Sequence, residues 1–277
     1  MVRWLWLFPM LIGCSDRVPA VPDGQRCVVD GDSRWCSREV IKLKPGRFSS
    51  RRVYFQTPVG TPPEAGWPVA VLFQGSLNPA RKFWEAERGD AWGAWNQVGV
   101  VQALLDGGFA VLAPDAQAGG RTFWNTNVLP WSFAWSEAPD AQLMDTLFEA
   151  MDDGRFGPLD PNRRVAAGIS SGGYMTSRMA LSYPGEFRAL AIQSASWATC
   201  SGLVCSLPDA LPADHPPTLF LHGERDEIVP IGTMERYAEA LEEAGHTVQV
   251  VTDPELGHAW LEVAPEEVLS WFEEHAP

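Results

Sequence analysis

The sequence is poor in basic residues. It has 21 Lys and Arg against 35 Asp and Glu, which gives a formal net charge of −14. An excess of negative charge repels phosphate groups, so we expect neither nucleic acid nor an anionic membrane surface as a partner. Internal repeats and low-complexity tracts are also missing. This charge balance favours a globular protein with neutral substrates.

Signatures of bound cofactors are absent as well. The sequence has no dinucleotide-type glycine pattern, no phosphate-binding lysine motif and no cluster of cysteines and histidines spaced for a metal ion. We therefore expect no cofactor and no metal site.

The apolar run at the N-terminus, residues 4–12, is too short to span a bilayer. It follows Arg3, which is typical of a signal peptide over residues 1–13. Leu-Ile-Gly-Cys at 11–14 resembles the bacterial lipobox, whose cysteine becomes the lipidated first residue of the mature chain. The alternative is an ordinary signal that is cleaved nearby. We expect an exported protein of the bacterial cell envelope, anchored through lipid on Cys14 or secreted.

Four cysteines remain when Cys14 is set aside. An even number in an exported chain indicates disulfide bonds rather than free thiols. The simplest of three possible connectivities pairs Cys27 with Cys36 and Cys200 with Cys205. Residues 14–48 then form a linker and a small stapled hairpin ahead of a catalytic domain at 49–277.

Apolar segments of strand length alternate with helical patterns through most of the chain. Continuous apolar runs at 68–74, 109–113 and 165–169 are typical of strands covered on both faces. Helical spacing of apolar residues occurs at 140–151. This alternation predicts an α/β fold with a mostly parallel, doubly wound sheet and helices on both faces.

Gly-Ile-Ser-Ser-Gly at 168–172 follows a short aliphatic strand and precedes a helical stretch. A Gly-x-Ser-x-Gly motif places its serine on a sharp strand-to-helix turn, with glycines where the backbone is crowded. Ser170 is therefore the expected nucleophile, and the alternative is a glycine-rich turn without chemistry. Ser171 fits less well because Ile169 stands two residues before it.

A serine needs a base to take its proton, and the base needs an acid to orient it. Among five histidines, His258 lies in a loop between the last predicted strand and the last helix. A loop at the carboxyl end of a strand can bring an imidazole to the serine. We therefore expect His258 to be the base, and a solvated loop histidine is the alternative.

The acid is expected in the acidic turn at 224–227, which follows a predicted strand. Asp226 is the leading candidate, while Glu224, Glu227 and Asp253 stay open. With Asp226, the order of nucleophile, acid and base along the chain is that of the α/β-hydrolase fold.

These segments resemble secreted esterases of the α/β-hydrolase superfamily, of the polyhydroxybutyrate-depolymerase type and the feruloyl and acetylxylan esterase types. The resemblance runs from residue 53 to the C-terminus, and it implies Ser170 as nucleophile, Asp226 as acid and His258 as base. Its motifs are Gly-Ile-Ser-Ser-Gly-Gly-Tyr-Met at 168–175, Leu-His-Gly-Glu-Arg-Asp-Glu-Ile-Val-Pro at 221–230 and Gly-His-Ala-Trp at 257–260. Phe-Gln-Gly at 73–75 departs from the family pattern, in which His-Gly commonly follows this strand.

Two backbone donors should stabilise the oxyanion of an acyl-transfer intermediate. The N–H of Ser171 directly follows the nucleophile, and the N–H of Ser76 comes after the 68–74 strand. An ordinary glycine turn is the alternative for Ser76. Trp124, Trp197 and Trp260 are candidates for a substrate wall, although core packing is the simpler role for each taken singly.

The sequence therefore predicts a carboxylic ester hydrolase that forms an acyl-enzyme. Its substrate would be a neutral ester, namely a polyester oligomer, an aryl ester or an acetyl ester. Two alternatives stay open: a serine peptidase of the same fold, and a non-catalytic, lipid-anchored binding protein on a hydrolase scaffold.

Replacing Cys14 with Ser should release the protein from the membrane fraction, because serine cannot accept the thioether-linked lipid. Fractionation of cells that express the two forms, followed by immunoblotting, measures the change. A Cys14→Ser protein that stays with the membranes as the unchanged protein does would contradict the lipid anchor.

Overall fold

The computed structural model describes residues 20–46, 49–117, 122–201 and 204–277. The expected signal segment at 1–13 and the expected lipidation site Cys14 lie outside the described residues. No helix in these ranges combines the length and the apolar character that a bilayer-spanning helix needs.

The described strands are β1 (Cys27–Asp30), β2 (Ser33–Cys36), β3 (Glu39–Leu43), β4 (Arg51–Gln56), β5 (Trp67–Phe73), β6 (Glu85–Glu87), β7 (Ala110–Pro114), β8 (Leu159–Ile169), β9 (Ala189–Gln193), β10 (Cys200–Ser201), β11 (Val204–Cys205), β12 (Thr218–Gly223) and β13 (Val248–Asp253). The described α-helices are α1 (Ala94–Asp106), α2 (Pro139–Asp152), α3 (Ser171–Ser182), α4 (Ile231–Glu243) and α5 (Ala264–His275). Short 3-10 turns lie at Ala80–Phe83, Ala91–Gly93, Asn125–Asn127 and Trp135–Glu137.

The main sheet has eight strands in the order β13-β12-β9-β8-β5-β7-β4-β3. Neighbours are parallel from β13 to β7, whereas β4 runs antiparallel to β7, and β3 antiparallel to β4. The central strands are almost wholly apolar because helices cover both of their faces. The structure thus confirms the predicted α/β-hydrolase fold.

Alternate residues of each central strand enter different cores. In β12, Leu219 and Leu221 pack in the core that α1 and α5 cover. Phe220, between them, packs in a core on the opposite face, under α4. The core beneath α2 and α3 lies on this second face too, because β9 supplies Leu190 to it and Ile192 to the core under α4. This period of two fixes the strand register and therefore the positions of the strand ends.

The N-terminal segment packs with the rest of the chain. A disulfide bond joins Cys27 to Cys36 across the β1–β2 hairpin, which pairs with β6. Strand β3, also from the predicted 14–48 segment, adds to the edge of the main sheet. A second disulfide bond joins Cys200 to Cys205. The stapled hairpin is therefore packed against the catalytic unit.

Candidate active site

The turn between β8 and α3 holds Ser170 in a strained conformation, with φ 55° and ψ −123°. A Cβ added to Gly168 would lie 2.4 Å from the Gly172 carbonyl oxygen, and one added to Gly172 would lie 1.9 Å from the Phe73 oxygen. Only glycine therefore fits at both positions. Non-glycine residues in such conformations are costly and concentrate at functional sites. The close packing of this turn against β5 fixes Ser170 at the sheet edge.

His258 and Asp226 form a direct hydrogen-bonded pair beside this edge. Asp226 follows β12, and His258 lies in the loop after the neighbouring strand β13. The Nδ1 atom of His258 lies 2.7 Å from Oδ2 of Asp226. The other carboxylate oxygen, Oδ1, accepts the N–H groups of Ile228 and Val229 at 2.9 and 2.8 Å. Asp226 therefore has the position of an orienting acid.

The other acid candidates make different contacts. Glu224 is exposed and accepts a hydrogen bond from Thr252, and Glu227 is exposed. Asp253 accepts the N–H groups of Glu255 and Leu256. Asp253 therefore stabilises the loop that leads to His258, whereas the His258 imidazole bonds Asp226.

The surroundings of Asp226 favour its charged form. Burial by itself raises the pKa of this carboxyl, but hydrogen bonds from His222, His258 and the Val229 N–H outweigh burial and hold the pKa well below its usual value. His222 is fully buried, and its Nε2 lies 2.9 Å from the Val229 oxygen and 3.4 Å from Oδ2 of Asp226. A carboxylate at Oδ2 accepts the Nδ1–H of a neutral His258, which leaves Nε2 free to take a proton.

Ser170 and His258 both line a cavity of about 210 Å³. Three large apolar side chains of its lining are exposed to solvent and form its apolar rim: Leu77 (76 %), Trp92 (50 %) and Ile228 (57 %). The Trp92 ring stands edge-to-face against the His258 ring, with centroids 5.7 Å apart. The site thus combines a strained serine and a paired histidine with an apolar mouth.

A larger cavity of about 520 Å³ lies near the amino-terminal end of β8, around Arg164. Arg164 forms ion pairs there with Asp152 and Glu186. The strained serine lies at the opposite end of the same strand, so this larger cavity is separate from the paired histidine and Ser170.

The two predicted oxyanion residues flank the strained serine. Ser171 is the first residue of α3, where backbone N–H groups have no acceptor within the helix, and its Oγ accepts the Trp124 N–H at 2.9 Å. Ser76 is exposed and lines the cavity with Ser170. Their role as donors stays a prediction.

The predicted tryptophan wall requires correction. Trp124 is fully buried, packs edge-on against Phe73, and donates Nε1–H to the Gln74 oxygen. Trp197 and Trp260 are buried too, and none of the three lines the cavity beside Ser170. Each of them packs in a hydrophobic core, because an indole ring has a large apolar surface to bury.

Trp92 is the tryptophan that lines this cavity. Its backbone is left-handed, with φ 64°, which turns the ring toward His258. The only sequence signal was its place beside Gly93 in a loop, and that signal does not give the direction of the ring.

Gln74, which departs from the family pattern, has a structural role in this fold. Its Oε1 accepts the Ala116 N–H at 3.1 Å, and its backbone oxygen accepts the indole N–H of Trp124 at 3.0 Å. The side chain is buried and ties the end of β5 to the chain that follows β7.

The comparisons with known proteins agree with this architecture. Residues 136–275 match the phospholipase/carboxylesterase family. The chain is 46 % identical over 240 residues to a poly(3-hydroxyoctanoate) depolymerase of Pseudomonas fluorescens, covering 87 % of this chain and 85 % of that protein.

Solved structures share the fold at low sequence identity. Thermogutta terrifontis esterase 2, phosphorylated by paraoxon, superimposes with a TM-score of 0.57 at 19 % identity, covering 86 % of this chain and 92 % of that one. The Bacillus cereus carboxylesterase gives a TM-score of 0.58 at 16 % identity, covering 81 % and 94 %. The chain therefore belongs to the phospholipase/carboxylesterase family and is a carboxylic ester hydrolase with the α/β-hydrolase fold.

Proposed function

We propose that this protein hydrolyses the ester bonds of a neutral aliphatic polyester or its oligomers, through an acyl-enzyme on Ser170. The observation that carries the proposal is the 2.7 Å contact of His258 with Asp226, in a cavity that Ser170 also lines. Activation of an alcohol requires a base with a free nitrogen and an acid behind it.

The reaction proceeds in two halves. His258 Nε2 takes the proton of Ser170 as Oγ attacks the ester carbonyl carbon, and the same proton passes to the leaving alcohol. The N–H groups of Ser171 and Ser76 receive the developing oxyanion, each contributing about 3 kcal/mol to lowering the barrier. Water, deprotonated by His258, then releases the acid and restores Ser170.

The rim of the cavity favours an aliphatic substrate. Leu77 and Trp92 both have left-handed backbones, with φ of 63° and 64°. Such a conformation costs roughly 1–2 kcal/mol for a residue other than glycine. This conformation exposes two large apolar side chains to water in spite of its cost in free energy. Such exposure supports a function in binding apolar groups. Alkyl side chains of a hydroxyalkanoate polymer would bury these surfaces.

The similarity to the Pseudomonas fluorescens depolymerase supports the same substrate class. That protein is named as a depolymerase of poly(3-hydroxyoctanoate), and the match covers most of both chains. The net charge of −14 also suits a neutral polymer better than an anionic one.

We propose that the protein acts outside the cytoplasm. Residues 1–13 would direct its export as a signal peptide, and the exported protein would be either lipid-anchored through Cys14 or secreted. The bonds Cys27–Cys36 and Cys200–Cys205 support this location, because disulfide bonds persist mainly in oxidising compartments. An enzyme in this location has access to a polymer that is too large to enter a cell.

Substitution of the three proposed catalytic residues should remove turnover of a soluble ester. We expect kcat/KM to fall by about 10⁴-fold or more for Ser170→Ala and His258→Ala, and by about 10⁴-fold for Asp226→Asn, which leaves the imidazole in the wrong tautomer. Initial rates with a p-nitrophenyl ester measure these changes.

Two matched controls accompany these variants. His246→Ala removes a histidine that packs on His215, and Glu224→Gln alters the neighbouring acid candidate, which contacts Thr252. Both controls should keep activity close to that of the unchanged enzyme. Full activity of Asp226→Asn, or loss of activity in Glu224→Gln, would reject Asp226 as the acid.

Substrate preference should follow acyl length. Across p-nitrophenyl esters from acetyl to octanoyl, kcat/KM should rise, and an emulsion of poly(3-hydroxyoctanoate) should be degraded. Ile228→Ser should lower the octanoyl-to-acetyl ratio by about tenfold, because it removes apolar contact from the rim. Val59→Ser, at an exposed valine outside the lining of this cavity, is the matched control. Preference for acetyl, feruloyl or aminoacyl amide substrates would contradict the proposal.

A further inference from the structure

We propose that Gln193 is a positioning residue that fixes the His258 loop relative to Ser170. The inference rests on the proposed function, because it concerns the same serine and histidine. Gln193 is the last residue of β9, and it is fully buried.

The backbone of Gln193 lies between the strands that lead to the nucleophile and to the acid. It pairs with Ile169 of β8 on one side and with Leu221 of β12 on the other. Its carbonyl oxygen accepts the N–H of Ser170 at 3.0 Å. The next residue, Ser194, donates its N–H to Leu221 at 2.9 Å. The end of β9 is thus bonded to the nucleophile turn itself.

The side chain of Gln193 reaches the third element of the site. Its Nε2 donates to the Ala259 oxygen at 2.8 Å, and its Oε1 accepts the Leu261 N–H at 3.2 Å. These two groups lie one and three residues after His258. The same residue therefore bonds the serine turn through its backbone carbonyl and the His258 loop through its side-chain amide.

The amide is specific to this task. Its second Nε2–H donates to Ser194 Oγ at 2.9 Å, so both hydrogens and the oxygen of the amide have partners. An apolar side chain of the same size would remove the acceptor of the Leu261 N–H and leave the Ala259 oxygen with only the longer hydrogen bond from the Ser194 hydroxyl, at 3.4 Å. The opposite side of the loop is held separately, since Trp260 N–H donates to the Trp92 oxygen and Asn96 donates to the Trp260 oxygen.

Loss of the amide should therefore loosen the loop on the side that faces the nucleophile while leaving it attached on the other. Displacement of a catalytic group by about 1 Å can cost about 100-fold in rate. We expect kcat to fall and KM to change little. The hydrogen bonds of the Gln193 side chain involve Ser194, Ala259 and Leu261. None of them involves the rim side chains Leu77, Trp92 and Ile228, which line the cavity.

The test compares Gln193→Met with the unchanged enzyme on a soluble octanoyl ester. We expect kcat to fall by about 10- to 100-fold while KM stays within about threefold. Gln56→Met is the matched control, because Gln56 is also a buried glutamine, and it bonds Ser37 and the Thr57 N–H. This control should lose comparable thermal stability but keep its kcat.

Ser194→Ala is a milder second variant that keeps the experiment decisive if Gln193→Met fails to fold. It removes the hydroxyl that accepts an N–H of the Gln193 amide and donates to the Ala259 oxygen at 3.4 Å. A fall in kcat of about 3- to 10-fold at constant KM is expected.

The outcomes separate the two proposals. Ser170-dependent turnover with kcat unchanged in both Gln193→Met and Ser194→Ala would overturn the role of Gln193 alone. A kcat loss no larger than that of Gln56→Met, or a rise in KM without a change in kcat, would overturn it as well. If Ser170→Ala retains full activity in the same assay, the proposed function itself fails.

Discussion

The hydrogen bond between His258 Nδ1 and Asp226 Oδ2 is the interaction on which the proposed chemistry of the site depends. It requires an ionised acid, and the donors around Asp226 keep its pKa low despite burial. It also fixes which imidazole nitrogen carries the proton. The free nitrogen is then the one available to a serine. The remaining features of the site hold this pair and Ser170 at one edge of the sheet.

Parallel strand order brings these groups together. Strands β8, β9, β12 and β13 are neighbours, and the serine, the acid and the histidine follow three of them at their carboxyl ends. The fourth strand, β9, ends in Gln193, which bonds the serine turn and the histidine loop at once. The sheet register, which the alternation of core residues fixes, therefore determines where Ser170, Asp226 and His258 lie relative to one another.

The sequence was sufficient for the fold class and the candidate triad, since a strand-to-helix serine motif and two strand-end polar turns carry local signals. Features that depend on distant contacts could not be predicted. The Gln193 amide meets partners 66 and 68 positions away, and the Trp92 ring direction follows from a left-handed backbone. The places of Trp124, Trp197 and Trp260 along the chain suggest a substrate wall, but they do not tell which rings face inward. Edge strand β3 is mostly exposed, so the sequence alone predicts a linker there.

Covalent labelling tests the central claim that His258 and Asp226 make Ser170 reactive. The folded enzyme is treated with a fluorophosphonate, and the labelled peptide is identified by mass spectrometry over a time course. We expect one adduct, on Ser170, with labelling slowed by orders of magnitude in His258→Ala and absent in Ser170→Ala. Labelling of Ser170 at an unchanged rate in His258→Ala, or an adduct on a different serine, would contradict it.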